Sequence, residues 1–166
     1  MGHKEESSSD ETKRVNTVRQ VAELFGTEPI IVLAEESILA IPEKVADRPA
    51  CRTLAVVDQA GTLVGVLPVT MLMDDIFLQV MPEEFLRDDL DPEEMVNLAR
   101  GSEANTARDL MQPPTYVRMD QSFRSAFVTM HRHRLTGLPI VDDSLKVVGY
   151  LDMFQLLLVW LRTRAG

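Results

Sequence analysis

The sequence predicts an α+β fold in which one β-α-β-β-α unit is used twice. The first observation behind this is an internal repeat. LAVVDQAGTLVGVLPVTML (54–72) lies over LPIVDDSLKVVGYLDMFQL (138–156) at an offset of 84, with seven of nineteen positions identical, where chance gives about one. Towards the N-terminus Val32 and Ser37 match Val117 and Ser122 at an offset of 85, and Glu23-Leu24-Phe25 faces Asp109-Leu110-Met111 at 86. The second observation is that hydrophobic periodicity changes in the same order in both copies, from helical to alternating and back.

Each copy opens on a short helix, residues 17–25 or 106–111. A threonine starts it, with a capping partner three residues on: Thr17 with Gln20, Thr106 with Asp109. A short strand follows, Ile30–Leu33 or Thr115–Val117, and then a helix over 38–48 or 122–134. In the second copy Phe123, Ala126, Phe127 and Met130 fall at i, i+3, i+4 and i+7, one apolar stripe. Pro42 falls inside the matching first-copy segment, so that helix either begins at the proline or has a distorted first turn. Two strands then flank a tight turn, 54–57 with 63–67 and 138–141 with 146–151. Asp58-Gln59-Ala60-Gly61 and Asp142-Asp143-Ser144 supply the turn residues. A last helix begins near 70 or 153.

These elements divide the chain into a flexible tail (1–14), a first repeat (15–80), an acidic helical insertion (81–105) and a second repeat (106–166). The tail has no large apolar residue after Met1 and cannot offset its ordering entropy. In the insertion Asp91-Pro92-Glu93-Glu94 reads as N-cap, first helical position and capping box, and Met81-Pro82-Glu83-Glu84 as another start. Gly101-Ser102 then breaks the pattern.

Composition narrows function. The 166 residues carry a formal charge of −9 with no basic block, which disfavours nucleic acid and anionic membrane surfaces as partners. The longest apolar run, Leu156 to Leu161, is far short of a membrane span, and no signal peptide is evident, so the expectation is a cytoplasmic protein without membrane insertion. Cys51 is the single cysteine, which excludes an intrachain disulfide and reads as a small buried apolar residue. His131 and His133 lie two residues apart, on different faces of a helix, and cannot chelate together as an i, i+4 pair does. With Arg132 and Arg134 they read as a solvated basic helix end. The paired carboxylates Asp74-Asp75, Asp88-Asp89 and Glu93-Glu94 read as helix starts and solvated faces. No nucleophile has a recognisable base partner and no glycine-rich phosphate loop occurs, so no enzyme, catalytic residue or metal site is expected.

Taken together, these motifs resemble the CBS repeat, the module first named in cystathionine β-synthase. The second copy carries the fuller resemblance: Ala107-Arg108-Asp109-Leu110-Met111, Thr136-Gly137-Leu138-Pro139-Ile140-Val141-Asp142 and Val148-Gly149-Tyr150-Leu151. The first copy departs at Ala55, where the family usually has proline. The resemblance implies tandem repeats packed about a pseudo-twofold axis and two clefts that in many members take an adenosine nucleotide (ATP, ADP or AMP) or an adenosyl compound. It also implies a flat homodimer that regulates an enzyme or a transporter. By position, the second cleft would be lined by Thr115, Val117, Thr136, Gly137, Leu138, Asp152 and Gln155. The first would be lined by Ile30, Val32, Arg52, Thr53 and Leu54.

Where the family usually places a phosphate-binding hydroxyl and a ribose-binding aspartate, this chain has Pro68 and Met71 in the first copy and Asp152 and Gln155 in the second. Pro68 and Met71 lack those groups. Gln155 keeps hydrogen-bonding capacity, which favours the second copy. Asp152 either caps the last helix or implies an uncharged, cationic or metal-bridged ligand. Arg52 is either a phosphate partner or a solvated surface arginine. The leading expectation is a non-catalytic regulatory module that senses an adenosine-containing ligand. The alternatives are an interaction module that works by dimerisation without nucleotide, and a divalent-cation sensor. The segment from Met153 to Leu161 is apolar almost all round and the matching first-copy helix is rich in apolar residues (Met71-Leu72-Met73, Ile76-Phe77-Leu78, Val80-Met81), so the last helix of each copy is the expected dimer surface.

Overall fold

The computed structural model of the chain describes residues 15–80, 91–94, 96 and 103–164. In the first repeat, helix α1 (Val18–Phe25) leads to strand β1 (Ile31–Leu33), a 3-10 turn (Ile38–Ala40) and helix α2 (Pro42–Asp47). Strands β2 (Thr53–Val57) and β3 (Leu63–Pro68) and helix α3 (Val69–Val80) complete it. The second repeat runs α4 (Ala107–Leu110), β4 (Val117–Arg118), α5 (Phe123–His133), β5 (Gly137–Val141), β6 (Val147–Asp152) and α6 (Met153–Arg164). The fold is α+β, with two three-stranded sheets ordered β1-β2-β3 and β4-β5-β6. In each the first pair is parallel and the second antiparallel. The register slips at Val56/Val57 and again at the equivalent Ile140/Val141.

Several boundaries differ from the sequence expectation for local reasons. The first-copy helix over 38–48 is split: Ser37 caps a 3-10 turn, and the α-helix starts at Pro42, whose ring has no N–H to offer an interior turn. The strand expected at Thr115–Val117 begins only at Val117, because Pro113 and Pro114 precede it. At the N-termini the copies are matched differently from the offset of 86. Val18 N–H donates to Gln121 (2.8 Å) as Ala107 N–H donates to Glu36 (3.0 Å), which equates Thr17 with Thr106. α4 is therefore one turn shorter than α1. The capping partners expected for both threonines are present. So is the helix start at Asp91, whose carboxylate accepts from the N–H groups of Glu93 (2.9 Å) and Glu94 (2.8 Å). The tail (1–14), the Met81 start and the Gly101-Ser102 break lie outside the described residues.

Each leading helix packs on the opposite repeat. Val18 and Val21 of α1 are fully buried in a cluster with Ala126, Met130, Leu138, Leu151 and Leu156. Ala107 of α4 is buried among Ile38, Ile41, Leu54, Val56 and Leu67. The strands exchange side chains in the same way. Val66 of β3 joins the second-repeat cluster, and its equivalent Tyr150 of β6 joins the first. At the hairpin tips Leu63 N–H donates to Leu145 (2.9 Å). Leu145 takes a left-handed φ of 59° where the first copy has Gly61 at 80°, a strained position for leucine. Its side chain packs against the small cluster of Ala55, Leu63 and Val141.

Tyr150 needs a glycine opposite it. A Cβ at Gly137 would overlap the tyrosine hydroxyl. In the first copy the equivalent pair is Thr53 and Val66, where the smaller residue on β3 leaves room for a threonine. Gly137→Thr alone is therefore expected to destabilise the fold by about 3 kcal/mol or more, and Tyr150→Val by about 2–4 kcal/mol through cavity formation. The double variant, which rebuilds the first-copy pair, should lose less than the sum of the two. Urea denaturation measures this coupling, and strictly additive losses would contradict the steric account.

Candidate functional site

In both repeats the start of the central strand, the end of the third strand and the N-terminus of the last helix meet at one edge. Register partners Gly137 and Asp152 lie across from each other, as do Thr53 and Pro68. The helix is tied to the same edge by its first N–H. Met153 donates to Thr136 (2.8 Å), and Val69 donates to Arg52 (3.0 Å). The fold thus brings Thr136, Gly137 and Asp152 together in the second repeat, and Arg52, Thr53 and Pro68 in the first. Leu138, Val117, Val32 and Leu54 are buried strand residues beneath these edges, and Ile30, buried too, precedes β1, which begins one residue later than expected. Thr115 is half-buried and its hydroxyl donates to Pro113 (3.3 Å).

The two edges also approach one another. Arg52 N–H donates to the Tyr150 hydroxyl at 3.0 Å, so the first repeat's edge is pinned to a second-repeat side chain. Burial pushes the Tyr150 phenol far up from its ordinary value and keeps it neutral. Cys51 beside it is buried, donates its thiol to Thr53 (3.3 Å), and has its pKa pushed up, chiefly by desolvation. Thr53 is itself buried, with a hydroxyl that has no partner among the described residues.

Asp152 caps α6: its Oδ1 accepts from Phe154 N–H at 2.8 Å. Its pKa is raised, chiefly by desolvation, against the lowering pull of the Phe154 and Gln155 amides and the more distant Arg52 guanidinium. Gln155 closes the box. Its Oε1 accepts from Asp152 N–H (3.2 Å), while Nε2 donates to the Thr27 hydroxyl from the segment after α1. Both ends of that amide are thus engaged. Met71, at the first-copy position, is partly exposed and receives the Gln112 amide on its sulfur at 3.2 Å.

Two residues absent from the sequence-derived set shape this region. Tyr150 was detectable in principle, since the copies differ there as Tyr against Val and, opposite, as Gly against Thr. Thr27 carries no sequence signal; it arrives with the exchanged leading helix. Among the cavities, one of about 180 Å³ is lined by Ile30, Ile31, Lys44, Asp47 and Arg48, close to the first edge. A larger one, about 570 Å³, lies away from both edges, between α5 and α6, against Phe123, Phe127, Val128, Leu156 and Trp160. His131 stacks on Phe127, with ring centroids 6.3 Å apart. Among the described residues no three His, Cys, Asp or Glu side chains gather to hold a metal, and no helix is long and apolar enough to cross a membrane.

With this geometry in hand, comparison with known proteins is direct. Residues 107–161 match the family profile of the CBS domain. A CBS domain-containing protein from Thermotoga maritima superposes with a TM-score of 0.70 at 24% identity, covering 90% of this chain and 97% of that one. The CBS domain pair of protein MJ0100, solved with 5′-methylthioadenosine and S-adenosyl-L-methionine, superposes at 0.61 with 18% identity, covering 84% and 94%. CBSX2 in complex with AMP superposes at 0.58 with 23% identity, covering 81% and 88%. No curated protein matches the chain by sequence. The second repeat thus matches the CBS domain by sequence, and the chain as a whole has the fold of a tandem CBS pair.

Asp152 provides a pH test. Its folded pKa lies above the unfolded value of about 3.9, so its stabilising contribution is full below that value and is lost as pH rises through the folded pKa. Asp152→Asn keeps a good cap without the charge. The variant should therefore gain stability relative to the parent as pH rises from strongly acidic to neutral, as read by urea denaturation across that range. A parent that gains on the variant over that range would contradict the desolvation account.

Proposed function

We infer that this CBS pair is a non-catalytic regulatory module that senses an adenosine-containing ligand and passes the signal to an enzyme or a transporter in the cytoplasm. The observation that carries the reading is the convergence of Thr136, Gly137 and Asp152 at the N-terminus of α6, in a fold shared with pairs solved with AMP and with methylthioadenosine and S-adenosylmethionine. The remaining lining residues proposed are Thr115, Val117, Leu138 and Gln155 in the second cleft, and Ile30, Val32, Arg52 and Thr53 in the first.

The chemistry of Asp152 narrows the ligand. A helix N-terminus ordinarily favours phosphate, but here the Phe154 N–H is already taken by a carboxylate. A phosphate beside that carboxylate is opposed by about 4 kcal/mol at about 4 Å for an effective dielectric of about 20. Phosphate-free or cationic adenosyl compounds are therefore favoured over ATP, ADP and AMP. A second reading, dimerisation without any nucleotide, is supported by the apolar residues left exposed on α6. Phe154 is 67% exposed and Leu161 65%, so this face of the last helix is left open by the described residues.

Thermal shift and calorimetry with methylthioadenosine, S-adenosylmethionine, AMP, ADP, ATP and Mg²⁺ test the reading. The adenosyl compounds should raise Tm more than the nucleotides, and Asp152→Thr should strengthen AMP binding about tenfold or more by removing the repulsion. Silence from every adenosine compound would leave dimerisation as the function, and a response to Mg²⁺ alone would make the module a cation sensor.

A further inference from the structure

We propose that the 570 Å³ cavity between α5 and α6 is a ligand site of its own, which takes a small amphiphilic anion: an apolar body carrying a single carboxylate. None of the residues lining it belongs to either sheet edge, so the site does not rest on the adenosine reading.

The cavity has the size and lining of a small-molecule site. Its volume falls within the usual range for ligand pockets, about 300–1,000 Å³. Five of its six lining residues are apolar: Phe123, Phe127, Val128, Leu156 and Trp160. Leu156 is buried and joins the second-repeat core, while Val128 and Trp160 stand exposed at 44% and 47%. The Phe127 ring is held between two neighbours, stacked on His131 and in edge contact with Trp160, each with centroids 6.3 Å apart. An apolar body that fills this recess removes aromatic surface from water with little further ordering of side chains.

The sixth lining residue sets the charge. Arg124 is exposed, and among the described residues no carboxylate pairs with it. Helices α5 and α6 contain no Asp or Glu, and besides Arg124 they carry Arg132, Arg162 and Arg164. On a chain whose net charge is −9, these two helices are free of acids. A planar guanidinium beside an apolar recess suits a carboxylate, which it can hold through two parallel hydrogen bonds. Other ligands fit less well. A purine would leave its ring nitrogens unpaired against apolar walls. A cation would meet the arginines. An anionic bilayer would face the charge of the whole chain, whereas one small anion meets mainly the local field.

Trp160 is the only tryptophan of the chain, so its fluorescence reports occupancy of the cavity directly. Dodecanoate, dodecyltrimethylammonium and dodecanol, each below its micelle-forming concentration, share one tail and differ in head group. Dodecanoate is expected to give a saturable change, with one-to-one stoichiometry in calorimetry, and to bind at least about tenfold more tightly than the other two. Arg124→Gln should remove about tenfold of that affinity. Val128→Glu, which sets a carboxylate in an exposed part of the wall, should abolish binding and leave Tm unchanged. Equal affinity for the three head groups, or a dodecanoate affinity unmoved by Arg124→Gln, would overturn the assignment. A response confined to phosphatidylglycerol vesicles would overturn it in favour of a membrane contact. No response at all would overturn it too, and sedimentation would then show whether a second copy covers the cavity. Each of these failures leaves the adenosine reading standing, because its ligands act at the sheet edges.

Discussion

The exchange of leading helices is the constraint on which the rest of the molecule depends. Each is only one or two turns long, too short to persist alone, and each is held by a capped N-terminus that hydrogen-bonds to the other repeat. On one side Val18 and Arg19 donate to Gln121 and Met119; on the other, Ala107 and Arg108 donate to Glu36 and Ala34. A three-stranded sheet with two helices leaves part of its core open, and the helix that closes it belongs to the neighbour. Neither repeat is complete by itself.

That exchange also builds the clefts. Thr27 reaches Gln155 because α1 lies on the second repeat. Tyr150 reaches the Arg52 amide because β6 turns one face towards the first repeat. The two edges therefore differ although the backbone repeats. One has a tyrosine and a glycine, the other a valine and a threonine; one last helix is capped by a carboxylate, the other follows a proline. A duplicated fold has become two chemically distinct edges, each bonded to residues of the other repeat.

Much of the architecture was legible in the sequence because it rests on local rules. The strand pairs around Asp58 and Asp142, the caps at Thr17, Thr106 and Asp91, and the helical stripe through Ala126 and Met130 each follow from periodicity or capping chemistry. What could not be read depends on neighbours distant in sequence. The matched N-termini were misaligned because α4 lost a turn with no change in its cap. Leu145 adopts a glycine conformation because packing against Ala55, Leu63 and Val141 holds it there. The candidate site was legible as positions but not as bonds. Gln155 reads in sequence as a free amide, and only the exchanged helix engages both of its ends.

If the exchanged helices make one body of the two repeats, the chain unfolds as one. Native-state hydrogen exchange on the parent and on a Leu156→Ala variant measures this directly. Leu156 is buried in the second-repeat cluster with Val18 and Val21. Its truncation should lower the opening free energy of β2 and β5 amides by the same amount, about 2–4 kcal/mol, together with those of α1. Loss of protection confined to the second repeat and α1, with β2 unchanged, would show two independent units and contradict the account.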